Sequence, residues 1–301
     1  MQNNLVTQSN DLIFATYSME LKEKELLLAC VSRIDSRVDA KIYTKQTKFT
    51  VTVQEMKDLF YDETNRDNAY RDLKNAADRL FYREVIISLE GNKTLKTRFV
   101  SGVIFDPDQS EITLTFAEDI LPYLTQLSAN FTKYRLVEIS ELSSIHAIRL
   151  YELIICWTGQ WQYSKEFELD DFREVMGVEG KYKQFGQLKE SVVDKALQQI
   201  NENTQYKVSV QYRKVGRSFV RLTLNFHKKS LAKIADKEGK LSEDMLSAIV
   251  RSKQFEADYN NYHRLSGEGK HDTDKFRSEM KNFITMYPED FEKKPLENYL
   301  K

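Results

Sequence analysis

Eleven lysines and arginines crowd residues 181 to 229: Lys181, Lys183, Lys189, Lys195, Lys207, Arg213, Lys214, Arg217, Arg221, Lys228 and Lys229. Only Glu190, Asp194 and Glu202 oppose them, so a chain with a formal net charge of -1 holds a local excess of eight positive charges. An excess of that size attracts polyanions whatever the whole-chain isoelectric point. Arg213, Lys214 and Arg217 flank a tight turn around Val215 and Gly216, between two alternating strands in "YKVSVQYRKVGRSFVRLTLNF". Cations on a hairpin tip project into solvent and can neutralise phosphates. Such contacts give affinity and register but little sequence information.

A second set of side chains could read bases. Val193, Ala196, Leu197 and Ile200 take helical spacing. Stepping 100° per residue from Val193 turns Gln184, Gln187, Ser191, Lys195 and Gln198 to the opposite side. Glutamine can pair in bidentate fashion with adenine, lysine can reach guanine O6 and N7, and serine serves either base. Gln184, Gln187, Lys189, Ser191 and Lys195 are therefore the candidate base readers. Lys181 and Lys183 precede this helix, where a phosphate would also meet free backbone N–H groups and the positive end of the helix dipole. Together with Arg213, Lys214, Arg217 and Arg221 they are the candidate phosphate contacts.

Catalytic chemistry finds no comparable constellation. The histidines, His146, His227, His263 and His271, form no His-x-His metal pair, as a DNA-nicking enzyme with a nucleophilic tyrosine would need. No GxxxxGK[ST] phosphate loop is present. Cys30 and Cys156 lie far apart in apolar helical stretches, which suits packing and gives neither a disulfide framework nor CxxC spacing. The expectation is a non-enzymatic protein without metal or cofactor.

The elements that must carry these residues occur twice. The 301 residues, 41% hydrophobic and 30% charged, suffice for about two domains. Helical stripes at Leu27, Cys30, Val31, Ile34 and at Leu150, Leu153, Ile154, Trp157 are each followed by a short strand, Phe49, Val51, Val53 in one half and Phe167, Leu169 in the other. Short amphipathic helices follow, "QEMKDLF" (54–60) and "DDFREVM" (170–176), the latter with Asp170 as the expected N-cap. Longer helices repeat at Leu73, Ala76, Ala77, Leu80 and at Val193, Ala196, Leu197, Ile200. Each half then ends in a hairpin, the first in "EVIISLEGNKTLKTRFVSGVIF" with its turn at Gly91 and Asn92.

Five elements repeating in order predict an α+β chain of two tandem winged-helix domains. The expected divisions are 1–128, a first domain with secondary DNA contact and dimerisation; 129–229, the principal DNA reader; and 230–301, a helical or partly disordered extension of unassigned role. The join lies near "LPYLTQLSANFTKY" and Pro122. In the first domain, counting from Leu73 turns Asn68, Arg71, Asn75 and Asp78 outward. Its expected wing offers Lys93, Lys96 and Arg98, and these six apart from Asp78 form a secondary DNA surface. No apolar run approaches the roughly 18 residues that would span a bilayer, and no signal peptide is evident, so a soluble cytoplasmic protein is expected.

Whole segments resemble a known family. "NDLIFATYSMELKEKELLLACVSRI", "AYRDLKNAADRLF", "FTKYRLVEISELSSIHAIRLYELIICW" and "FGQLKESVVDKALQQINENT" are similar to the Rep_3 (RepB/RepE-like) iteron-binding plasmid replication initiators, built from two winged-helix domains. The similarity covers about residues 4 to 228. It implies binding as a monomer to direct repeats (iterons) of double-stranded origin DNA, opening of an adjacent AT-rich region, and recruitment of a host replication initiator and helicase. It also implies a homodimer, in equilibrium with the monomer and formed through the first domain, that represses its own promoter. A winged-helix transcriptional repressor without an origin function is the alternative. Two unequal domains in one chain favour a directional site over the palindrome of a symmetric dimer.

Overall fold

The computed structural model describes residues 4–38, 40–61, 66–160, 162–216, 218–229, 241, 243–259, 273–286 and 296–299. The chain forms two compact units, Met1–His227 and Lys228–Lys301.

The first unit opens with β1 (Leu5–Ser9), α1 (Asn10–Phe14), β2 (Thr16–Tyr17) and α2 (Leu21–Val31), then β3 (Lys48–Thr52), α3 (Val53–Phe60) and α4 (Ala69–Leu80). Thr52 caps α3 by accepting from the Glu55 backbone while the Glu55 carboxylate reaches back to Thr52, a reciprocal box that fixes where strand becomes helix. Strands β4 (Glu84–Leu89), β5 (Lys93–Arg98), β6 (Val100–Asp106) and β7 (Glu111–Phe116) complete this half. The second half runs β8 (Phe131–Arg135), α5 (Ile145–Gly159), β9 (Ser164–Glu168) and α6 (Leu169–Val175). A continuous helical run then spans α7 (Phe185–Leu188), a π-helical turn (Lys189–Asp194) and α8 (Lys195–Asn203), followed by β10 (Tyr206–Val215) and β11 (Ser218–Lys228).

Two three-stranded sheets, ordered β3-β7-β6 and β9-β11-β10, show the winged-helix plan twice. Phe49 opposes Leu114 and Val51 opposes Ile112 in the first, and Phe167 opposes Leu222 in the second. Each wing is therefore the hairpin whose return strand pairs with the strand before the helix-turn-helix. In the first domain that hairpin is β6–β7, turning at residues 107–110. It is not the hairpin at Gly91 and Asn92 that the sequence suggests. Gly91 and Asn92 do sit at positive φ in a tight turn, but their hairpin β4–β5 joins β2 in a separate sheet. Turn chemistry marks a hairpin locally, whereas the choice of which hairpin serves as wing is made by long-range pairing with β3. A smaller correction concerns α6: Glu168 is its N-cap, and the exposed Asp170 pairs with Arg173 at 3.1 Å instead of capping.

The two domains share one core from Val6 to Phe226. β1 pairs antiparallel with β8, Val6 opposite Tyr134. Beneath this ribbon the Lys24 ammonium of α2 lies 2.8 Å from the Glu152 carboxylate of α5, both side chains at most 2% exposed. Glu152 also accepts from Tyr134 Oη at 2.6 Å and Gln8 Nε2 at 3.1 Å. Tyr17 Oη accepts from Lys24 at 2.9 Å and from Arg149 Nη1 at 2.8 Å, and Arg149 donates further to the carbonyls of Ala15 and Val175. Burial alone would lower the Lys24 pKa, but the Glu152 carboxylate and Tyr17 outweigh it and leave the ammonium raised above its ordinary value. Gly177, at φ 65°, closes the seam: a Cβ there would lie 2.0 Å from the Tyr17 carbonyl oxygen, so only glycine fits.

The second unit packs α9 (Glu243–Val250), α10 (Lys253–Tyr259), α11 (Thr273–Met286) and a 3-10 turn at Leu296–Tyr299 around an aromatic core. Phe255, Tyr259 and Tyr299 meet edge-on or tilted, and Tyr299 Oη donates to Asp258 at 3.0 Å. "SGEGKHDTD" falls almost wholly outside the described residues.

Replacing Lys24 with methionine leaves Glu152 a buried carboxylate without its countercharge, which should cost about 3 to 5 kcal/mol. Equilibrium urea unfolding measures this, and a loss below about 1 kcal/mol would show that water reaches the pair.

Candidate nucleic-acid interface

In the second domain the run from Phe185 to Asn203 packs against α5 and β10. Leu188, Val192, Val193, Ala196, Leu197 and Ile200 are buried on one side. Gln184, Gln187, Lys195 and Gln198 are exposed on the other, and Ser191 is half-buried. Lys189 is engaged differently from its neighbours: its ammonium contacts the Asp194 carboxylate across the π turn. Lys181 and Lys183 are exposed on the loop before the run. Arg173 holds that loop by donating to the carbonyls of Tyr182 and Lys183, and Lys181 reaches Ser18 Oγ at 3.4 Å. The cations are felt inside the fold as well. Burial first, then Lys181 and Lys195, bring the His146 imidazole down to about 4.

The wing is fastened to the start of this run by rings. Phe185 stacks on Phe219 with centroids 3.8 Å apart, and Tyr212 meets both edge-on. Contacts of this kind add about 0.5 to 1.5 kcal/mol each beyond area burial. They fix the direction in which the tip points. Arg213 and Lys214 are exposed there, Lys214 lying 4.3 Å over the Phe219 ring, and Arg217 lies outside the described residues. Arg221 sits further down the hairpin, bound to the carboxylates of Glu168 and Glu166 on β9.

The corresponding surface of the first domain neutralises itself. Arg71 lies 3.7 Å from Asp72, Lys74 pairs with Asp78 at 3.3 Å, and Lys96 pairs with Glu84 at 2.8 Å. Arg79 and Arg83 both grip the fully buried Glu23. Asn68 and Asn75 are exposed along α4; Lys93 and Arg98 are exposed on β5, and Arg98 lies within 6 Å of the Phe81 and Tyr82 rings. Lys93, Lys96 and Arg98 belong to the β4–β5 hairpin, while the β6–β7 wing turns through Asp106 and Asp108. Sequence periodicity alone gives no sign of this acidic tip, because it depends on which hairpin pairs with β3. Among the described residues no group of three or more histidines, cysteines, aspartates or glutamates could hold a metal ion, and no helix is long and apolar enough to cross a membrane.

Two winged helices on one core, the second with exposed cations on its wing and on the loop before its amide-bearing helix, define a tandem winged-helix DNA-binding protein. The chain belongs to the initiator replication protein family, whose first winged-helix model matches residues 5–155 and whose second matches residues 168–226. It is 26% identical over 217 residues to a replication initiation protein of Escherichia coli, covering 71% of this chain and 67% of that one. It is 28% identical over 209 residues to an uncharacterized 27.6 kDa protein of the same organism, covering 66% of this chain and 85% of the relative. The crystal structure of the Pi initiator protein in complex with iteron DNA shares the fold, with a TM-score of 0.61 and 22% identity over 76% of this chain and 99% of that one.

Beneath the first helix-turn-helix, Glu25 of α2 is covered, its side chain 4% exposed, with Lys22 at 2.7 Å. Burial pushes its carboxyl up to about 7 against the opposing pull of Lys22. An acid raised in the folded state binds more protons there than in the unfolded chain. Stability should therefore fall as pH rises from about 4.5 to 7, with the full penalty present above 7. Glu25→Gln should melt like the parent near pH 4.5 and exceed it by about 1 to 3 kcal/mol at pH 8. Parallel melting curves across that range would contradict the assignment.

Proposed function

We propose that the chain initiates replication by binding direct repeats (iterons) in an origin as a monomer. The carrying observation is the inequality of two domains fixed on one core: one presents amides and uncompensated cations, the other a self-neutralised face. Such a body has a direction, and a site it fits has one too. In this reading Gln184, Gln187, Ser191 and Lys195 meet base edges in the major groove, and Lys189 stands behind them against Asp194. Lys181, Lys183, Arg213, Lys214 and Arg217 meet phosphates, with Arg221 a minor member because its guanidinium already has two carboxylate partners. Asn68, Arg71, Asn75, Lys93, Lys96 and Arg98 form a weaker second contact.

Family membership supports the remaining steps of the proposal. Bound copies open an adjacent AT-rich segment and recruit a host initiator and helicase, and a dimer formed through the first domain represses the chain's own promoter. DNase footprinting of the DNA flanking the coding region should show several tandem protections of about two helical turns in one orientation. A single protected inverted repeat would replace this reading with that of a repressor.

The two sets of residues should fail differently. Gln187→Ala or Lys195→Ala should weaken repeat binding by about 1 to 3 kcal/mol and leave scrambled DNA unaffected. Arg213→Ala with Lys214→Ala should weaken both and flatten the slope of log affinity against log salt by about 2. Fluorescence anisotropy across a salt series separates the two patterns, and equal losses for all variants would show that the helix face does not read bases.

A further inference from the structure

The run from Phe185 to Asn203 contains more residues than an α-helix of its register needs. Leu188, Val192, Ala196 and Ile200 are each 0% exposed, at a strict spacing of four. On an uninterrupted α-helix each such step advances about 40°, so the four would fan over about 120°. The turn at Lys189–Asp194 is π-helical. Bonded i to i+5, such a turn advances roughly 80° per residue, against 100° in the α form, and returns the four to one line. Backbone angles stay helical through the junctions, at Leu188 (φ -59°, ψ -47°), Lys189 (φ -58°, ψ -57°) and Asp194 (φ -61°, ψ -42°). The rod is therefore continuous. Lys189 and Asp194 stand five apart, the spacing that stacks side chains in a π turn as four does in an α-helix, and their ion pair closes the wide turn.

The same arithmetic acts on the outer face. In α form, Gln187, Ser191 and Lys195 would spread over about 80°. Across the π turn they fall within roughly 20° of one another, in a row parallel to the axis. We propose that this helix carries one surplus residue, and that the wide turn absorbing it aligns Gln187, Ser191 and Lys195 as a single row of base readers, with Asp194 a positioning residue acting through Lys189. The inference rests on the DNA-reading role proposed above and adds its register.

Deletion of the exposed Glu190 provides the test. With a surplus residue removed, the run closes into an α-helix, Lys189 and Asp194 become i, i+4 neighbours, and Gln187 and Lys195 stay within about 20° of one another. The deletion protein should keep its circular dichroism and bind the repeat within about tenfold of the unmodified chain. In that background Gln187→Ala should cost the same factor as it does in the unmodified chain. A folded deletion protein that binds the repeat no better than a scrambled duplex would overturn the proposal, since a plain α-helix would have turned Gln187 away by about 100°. Asp194→Asn is the second variant. Repeat affinity should fall about threefold to tenfold while scrambled affinity holds or rises. If both affinities rise together, Asp194 acts only as a charge and the positioning role is wrong. Equal affinity of the unmodified chain for repeat and scrambled DNA would instead remove base reading itself, so the two failures are told apart.

Discussion

The Lys24–Glu152 pair is the constraint on which the rest of the fold depends. Desolvating both ions costs several kcal/mol each, and that is offset only when every remaining donor and acceptor is met. Tyr17 accepts from Lys24, Tyr134 and Gln8 donate to Glu152, and Arg149 holds Tyr17 in place, the four drawn from β2, β8, β1 and α5. Satisfying one ion pair thus requires the first domain's opening strands and the second domain's leading helix to arrive together. A purely apolar seam of the same area would tolerate sliding, whereas charged groups with fixed bonding directions do not. The surface proposed to meet DNA inherits its geometry from this buried cluster, since α5 packs against α8 and Lys181, on the loop before the Phe185–Asn203 run, reaches Ser18.

Charge is distributed by the same economy of partners. α4 and its neighbours carry many cations, yet Asp72, Asp78, Glu23 and Glu84 lie within reach of most of them. In the second domain, among the described residues, no carboxylate pairs with Lys181, Lys183 or Lys195, so these three project a field into solvent. Counting lysines would rank the two faces closer than pairing does. An ion pair at the surface contributes little to stability, but it removes a cation from the counterion release that drives nucleic-acid binding.

Much of this was legible in the sequence, and the illegible parts share a cause. Helical stripes, the exposed face of the Phe185–Asn203 run and the cations of the second hairpin follow from local periodicity, and the alternating strands at Phe49 and Phe167 are read the same way. The identity of the first wing was not legible, because β4–β5 and β6–β7 are both plausible hairpins until β3 selects β7. Asp170 looked like a cap because sequence shows residue type and not the dihedral at Glu168. The π turn left a trace in the unbroken four-residue spacing of Leu188, Val192, Ala196 and Ile200, which a fixed 100° step conceals. Lys24 and Glu152 gave no signal at all. Each reads as an ordinary solvated charge on a helix, and only the other domain makes it interior.

The close approach at Gly177 has a mechanical meaning. With the Tyr17 carbonyl against its backbone and the buried pair behind it, the seam is held at two points, and removing one partner of the pair costs about 3 to 5 kcal/mol. A short duplex bends smoothly through 40° for on the order of 1 kcal/mol. Where the curvature of the protein and that of a straight helix disagree, the duplex is the softer body. On the DNA-binding reading proposed above, the nucleic acid would be the partner that takes up the strain.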